Sequence, residues 1–297
     1  MIKPNLFVIG APKSGTSSLC SYLEKHPDVV FSNPKEPNYF CSDITNDYSA
    51  ARTEDAYLSR CFPKDYKRYA IVGDGSVSSL YSDFAVQRIL QFNPNAKFIV
   101  MLRNPIELVY SFHLQLLNSD QENVEDFIEA WRLQDRRKCG DAIPDNCLMP
   151  KALQYGDVGK LGEQLERLYG QVSRSKVMVI LFEDFREHTE RTYRSVLTFL
   201  GLPVGPDIHY KVVNESRRRK WIGFQRLLTS LAKMKMQLNI QKSFGVLSYL
   251  SSKNFEPYKR PPLPRYFVYE LSEYFKKDIV HLSELIEHDC TRWIQDD

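Results

Sequence analysis

The segment Leu6-Phe-Val-Ile-Gly-Ala-Pro-Lys-Ser-Gly-Thr-Ser-Ser-Leu19 restricts the fold more than any other part of the chain. An apolar run of strand type passes through a tight loop into residues with helical spacing. Gly10 and Gly15 let the backbone turn and approach a ligand closely. Thr16, Ser17 and Ser18 leave N–H groups and hydroxyls at a helix N-terminus, where an anion is favoured. The spacing from Gly10 to Gly15 fits the nucleotide loop G-x-x-x-x-G-K-[ST], but Thr16 stands where the lysine belongs, and the loop carries Lys13 instead. ATP or GTP hydrolysis is therefore disfavoured, while Pro12, Lys13, Ser14, Gly15, Thr16, Ser17 and Ser18 form a candidate phosphate cradle.

Apolar runs recur at Leu6–Ile9, Val29–Phe31, Ala70–Val72, Lys97–Leu102 and Lys176–Phe182, separated by stretches with helical spacing. The alternation predicts an α/β fold, a doubly wound central parallel sheet flanked by helices, with a P-loop-like nucleotide site. A helix over 16–25 stops at His26-Pro27, Asp83 is placed to cap a helix through Gln91, Pro105 suits the first turn of a helix to Asn118, and Thr189–Leu200 ends at Gly201. Two segments interrupt the pattern, one around Asp120–Pro150 and one at 233–264, and both are candidate covers for a site. We expect one domain over 1–297, with a substrate-facing insert at 112–155 and a lid at 233–264.

Forty basic and thirty-seven acidic residues leave a net charge of +3, too balanced for a protein whose main partner is nucleic acid or an anionic membrane. Six cysteines without a C-x-x-C pair point to reduced thiols, with Cys139–Cys147 as the one bridge worth weighing. With a first strand starting at Leu6 and no run of ~20 apolar residues, the expectation is a soluble cytoplasmic protein, monomer or homodimer, without signal peptide or membrane helix.

Beyond the cradle, Arg103-Asn-Pro leaves the end of the Lys97–Leu102 strand, and Ser111 lies two turns into the next helix. Arg103 and Ser111 could hold a second phosphate, since open α/β sheets bind ligands beyond the carboxyl ends of their strands. Arg217, Arg218, Arg219 and Lys220 stand beside Trp221 in a basic run that suits phosphate, or plain solvation. In Pro34-Lys-Glu-Pro-Asn-Tyr-Phe40, Glu36 is the best candidate for a general base, with Asp74 and His113 as rivals and His26 read as structural. Lys35, Tyr39, Phe40, Tyr81, His113 and Tyr155 are candidate walls for a substrate pocket. From these residues alone, a nucleotide-dependent kinase and a non-catalytic nucleotide-binding protein stay open beside a transferase.

Taken together, Gly10-Ala-Pro-Lys-Ser-Gly-Thr-Ser-Ser-Leu19, His26-Pro-Asp-Val29, Lys35-Glu-Pro-Asn-Tyr-Phe40, Arg103-Asn-Pro with Ser111, Phe182-Glu-Asp-Phe185, Phe199-Leu-Gly-Leu202 and the final helix ending near Trp293 resemble a sulfotransferase. The resemblance spans nearly the whole chain. It implies 3′-phosphoadenosine 5′-phosphosulfate (PAPS) as donor, 3′-phosphoadenosine 5′-phosphate (PAP) as product, and no metal. It also implies that the first loop holds the 5′-phosphosulfate, that Arg103 and Ser111 hold the 3′-phosphate, that Arg217–Lys220 close over the nucleotide, and that Glu36 takes the acceptor's proton. The implied acceptor is a hydroxyl or amine of a small molecule or carbohydrate. Two positions depart from the pattern: Gly75 stands where heparan-type members carry lysine, which argues against a heparan-like polyanion, and Leu108 stands where many relatives have arginine.

Overall fold

Alternate residues of the central strands are apolar on both sides, so each strand must be covered on two faces. The computed structural model describes residues 3–45, 51–205, 208–210, 217–221, 223–224 and 253–294, and within it the five apolar runs form one parallel sheet. The strands are β1 Leu6–Gly10, β2 Val29–Phe31, β3 Ile71–Asp74, β4 Lys97–Leu102 and β5 Val177–Leu181, in the spatial order β2-β3-β1-β4-β5. They match the expected runs to within two residues at either end.

Period-two alternation sorts the side chains into two cores. Phe7 and Ile9 of β1 and Phe98, Val100 and Leu102 of β4 pack on one side. Leu6, Val8, Ile99 and Met101 pack on the other. The second face is covered by α1 Thr16–Leu23 and, beyond several intervening helices, by Thr189–Leu200, through Leu19, Leu23, Val196 and Leu197. In chain order the helices between them are α2 Glu54–Cys61, α3 Ala85–Phe92, α4 Pro105–Asn118, α5 Phe127–Arg132, α6 Gln134–Lys138, α7 Tyr155–Gly159, α8 Leu161–Tyr169 and α9 Phe182–Glu187. Thr189–Leu200 is α10, and α11 runs from Arg265 to Ile286. The first face is covered mainly by α3, α4, α8 and α11, which supply Ile89, Val109, Leu165, Phe275 and Ile279 to its core. A short antiparallel ribbon, β6 Arg217–Arg219 with β7 Phe255–Pro257, stands apart from the sheet.

Helix ends follow local chemistry. Asn104 accepts from the Ile106 N–H at 2.9 Å and Pro105 fills the first position of α4. α10 stops at Gly201, whose φ of 76° is left-handed. At α3 the N-cap position is Phe84 and not Asp83, and the Ser82 hydroxyl accepts from the Ala85 N–H at 3.0 Å. The Asp83 carboxylate is drawn away to Lys151 at 2.7 Å.

The stretch 112–155 is anchored from within. Arg137 and Glu122 form a fully buried two-pronged pair at 2.7 and 2.8 Å, and the Tyr155 hydroxyl donates to the same carboxylate at 2.7 Å. Burial opposes ionisation of Glu122, but Arg137, Tyr155 and the Val124 N–H outweigh it and hold the carboxyl below its ordinary range. All six cysteines are free, and Cys139 and Cys147 are not bridged. Residues 233–252 of the expected lid lie outside the described residues. No described helix is long and apolar enough to cross a membrane.

Removing one partner of a buried pair strands the other charge. Glu122→Gln should cost about 3–5 kcal/mol, read as a lower denaturant midpoint. Because the folded pKa is depressed, this contribution is present above the unfolded glutamate pKa and is lost as pH falls through the folded value. The wild type should therefore approach the stability of the variant on acidification.

Candidate active site

β1 leaves the sheet toward β2 on one side and β4 leaves toward β5 on the other, so a crevice opens where their carboxyl ends lie side by side. The Ala11 N–H donates to the Met101 carbonyl at 2.7 Å and holds the two exits together. Gly15 begins α1 with a φ of 87°, and a Cβ there would come within 3.1 Å of the Phe182 ring. No side chain caps α1, so the N–H groups of its first turn face the loop. Lys13 itself has a φ of 62°, left-handed for a residue with a Cβ, the kind of local strain that collects at functional sites.

The Arg103 guanidinium lies 4.7 Å from the centre of the Phe182 ring, donates to the Lys13 carbonyl at 3.0 Å and pairs with Glu107 one turn into α4. Ser111, one further turn along, is buried on the same side as Glu107. A third cation joins them that sequence reasoning did not single out. Arg260 stacks over the Tyr110 ring at 4.5 Å, and among the described residues its Nη1 is buried without a hydrogen-bond partner. The Tyr110 hydroxyl donates to the Pro261 carbonyl at 2.9 Å, which ties this segment to α4. A cavity of about 730 Å³ between the start of α4 and the start of α11 is lined by Asn104, Glu107, Tyr110, Arg260, Arg265 and Tyr269, among others. The proline-rich run at 261–264 marked this segment in the sequence, but nothing there showed that Arg260 would meet Arg103.

The cations are under-compensated. Burial, followed by the charges of Arg260 and Arg103, lowers the pKa of the Lys13 ammonium, and Glu36 offsets this only in part. Burial and then Arg103 likewise lower that of Arg260. Three partly desolvated cations, with Glu107 pairing one of them, are surroundings that suit an anion.

On the acceptor side, Glu36 is held by its neighbours' backbone. The Gly75 N–H donates to the Lys35 carbonyl at 3.0 Å, and the Asn38 N–H donates to the Ser76 hydroxyl at 3.0 Å. The Lys35 ammonium donates to Glu36 at 3.0 Å and to Thr16 of the cradle at 3.2 Å, so Lys35, Glu36, Thr16 and Lys13 come together.

Other expected residues have different surroundings. Asp74 is buried, accepting from the Tyr57 hydroxyl at 2.7 Å and the Ser76 N–H at 2.8 Å, and burial raises its pKa. It braces the turn that carries Glu36 and presents no oxygen to the cleft. His113 is buried, with a ring nitrogen 2.8 Å from the Val124 carbonyl, and burial lowers its pKa. Phe40 and Tyr155 are core residues rather than pocket walls: Phe40 packs against Phe7, Tyr57 and Phe92, and Tyr155 is committed to Glu122. Tyr39 stacks on Tyr57 with ring centres 4.6 Å apart, and the Tyr81 hydroxyl donates to the Lys151 carbonyl at 2.7 Å. The Ser14 hydroxyl turns inward to the Pro12 carbonyl at 3.4 Å, and Ser18 is engaged with Tyr22. Arg217 and Arg219 dock at Asn118, about 10 Å beyond Ser111 along α4, Arg218 pairs with Glu125 at 3.1 Å, and Lys220 and the exposed Trp221 continue outward. They are not part of the Lys13–Arg103–Arg260 cluster. Leu108 is fully buried on the core side of α4.

Residues 3–244 match the family model described as "Sulfotransferase domain". Human carbohydrate sulfotransferase 15 is 26% identical over 252 residues, covering 67% of this chain and 44% of the relative. The Xenopus laevis bifunctional heparan sulfate N-deacetylase/N-sulfotransferase 1 is 22% identical over 227 residues, covering 73% of this chain and 24% of the relative. The chain thus spans less than half the length of these curated relatives. A crystal structure of a sulfotransferase from Alicyclobacillus acidocaldarius superposes with a TM-score of 0.72 at 25% identity, covering 99% of this chain and 100% of the other.

An oxyanion bound among Lys13, Arg103 and Arg260 should restore the affinity of Lys13 for its proton. The folded pKa of Lys13 lies below its ordinary value, so in the window just below that value the empty protein gains stability as pH rises, and anion binding there takes up a proton. Calorimetric titration with pyrophosphate in buffers of different ionisation enthalpy should show that uptake, and affinity should fall at higher pH. Arg260→Met should weaken pyrophosphate about tenfold or more, as loss of a charge-assisted contact does, while the empty protein melts no lower than the wild type.

Proposed function

The chain belongs to the sulfotransferase domain family, and from that membership we propose that it moves a sulfuryl group from PAPS to a hydroxyl of a carbohydrate acceptor. The observation that carries this reading is the convergence of Lys13, Arg103 and Arg260 on the cradle at the β1–β4 crevice, with the carboxylate of Glu36 tethered beside it. The cradle beside Lys13, continued along α4 by Arg103, Ser111 and Arg260, suits a nucleotide with phosphates at both the 5′ and 3′ positions of its ribose. The name of the human relative, a carbohydrate sulfotransferase, supports the acceptor class.

When bound, the donor supplies an activated sulfuryl group on a phosphate oxygen. The residues of the chain then have separable tasks. Lys13 and the N–H groups at the start of α1 neutralise charge that builds on that phosphate oxygen. Arg103, Ser111 and Arg260 hold the 3′-phosphate and fix the nucleotide along α4. Glu36 accepts the acceptor's proton, and the Tyr57–Asp74–Ser76 brace keeps its loop in register. A sulfuryl group carries less negative charge than a phosphoryl group, so lysine and amide donors suffice for the charge that develops.

The decisive experiment is a mass-spectrometric screen of carbohydrates and small metabolites, with PAPS supplied, for the mass gain of one sulfuryl group. Lys13→Ala should lower turnover by about 10²–10³, the usual cost of a lost preorganised donor. Glu36→Gln should lower it by roughly 10²–10⁴ while PAP still binds, and a variant that turns over at the wild-type rate would remove Glu36 from the mechanism. Arg103→Ala should weaken PAP more than adenosine 5′-phosphate, and equal losses would reject the 3′-phosphate grip.

A further inference from the structure

Lys35 joins the two halves of the site through one atom. Its carbonyl is fixed by the Gly75 N–H at 3.0 Å and by the Ser32 hydroxyl at 2.9 Å. Its side chain lies directly across Gly75: a Cβ at that position would come within 2.7 Å of Lys35 Cε and 2.9 Å of Cγ. The absence of a side chain at residue 75 therefore gives the lysine its path. At the end of that path the ammonium has three partners for its three protons: Thr16 Oγ1 at 3.2 Å, Ser17 Oγ at 3.5 Å and Glu36 Oε1 at 3.0 Å. Two are hydroxyls at the N-terminus of α1 and the third is the carboxylate assigned as base.

An ammonium shared in this way has a choice of anion. Before a donor binds, the carboxylate of Glu36 is its one charged partner among the described residues, and the contact tethers Oε1 to the start of α1. Resting on the reading of the protein as a PAPS-dependent sulfotransferase, we propose that Lys35 is a donor-sensing switch: it holds Glu36 before the donor arrives and turns onto the sulfuryl oxygens once PAPS is bound. Glu36 is then released to act as base when there is a group to transfer. In the step that follows, a bond forms between the acceptor oxygen and sulfur as the bond from sulfur to the 5′-phosphate oxygen breaks. The electron pair stays on the phosphate, and the acceptor's proton passes to Glu36.

The switch distinguishes PAPS from PAP, because the sulfuryl oxygens are present in one and absent from the other. Calorimetry with both nucleotides on the intact protein gives the test. Lys35→Met should weaken PAPS about ten- to hundredfold, the range for one charge-assisted contact, while PAP changes little. Gly75→Ala, which keeps the charge but blocks the path of the stem, should give the same selective loss, and it supplies a second route if Lys35→Met does not fold. Glu36→Gln should tighten PAPS relative to PAP by freeing the ammonium, and that gain should vanish in the Lys35→Met/Glu36→Gln double variant. Equal losses for both nucleotides, or no loss for either, would overturn the switch and leave the donor assignment standing. A wild-type protein that binds neither nucleotide would overturn the donor assignment and the switch with it.

Discussion

Parallel pairing of β1 with β4 is the constraint from which the site follows. Phe7 registers with Phe98 and Val8 with Ile99, and the register shifts before Gly10 meets Val100. That pairing sets the cradle after β1 beside Arg103 after β4. Parallel strands cannot be joined by a tight turn, so each exit must be followed by a crossover, and the crossovers from β1 and β4 diverge to opposite sides. The crevice thus arises from chain topology before any side chain is chosen, and Lys13, Arg103 and Arg260 give it its charge.

The electrostatics of the crevice work against the stability of the empty protein. Lys13, Arg103 and Arg260 repel one another in a partly desolvated setting, and Lys13 holds a left-handed backbone. Such a site persists because the surrounding sheet over-determines it. Phe182 shows how: one ring supports both the start of α1 at Gly15 and the guanidinium of Arg103, so an apolar contact positions two polar functions.

Much of this was legible in the sequence because it is local. A strand of four apolar residues followed by two glycines and three hydroxyl residues fixes its own conformation, and Asn104-Pro105 writes its own helix start. What escaped is non-local. Arg260 meets Arg103 across more than 150 residues of chain, and no period or cap forecasts that encounter. Glu122 and Arg137 look like ordinary surface charges in a polar stretch, yet they are buried together with Tyr155. Asp83 does not cap α3, and its carboxylate pairs instead with Lys151, sixty-eight residues away. Phe40 sits in a functional loop by sequence and in the core by packing, since one face of that loop must be buried for the other to be held still.

The hydrogen-bonded chain from Tyr57 through Asp74 and Ser76 to Asn38 extends the site beyond the motif residues. Tyr57 belongs to α2, an outer helix that carries no recognisable functional pattern. A sequence comparison that weighed only motif residues would count α2 as free to drift, whereas its phenol sets the tilt of the loop bearing the carboxylate. Evolution of a new acceptor preference therefore has two routes here, one by changing the walls of the cleft and a quieter one by retuning α2 from behind.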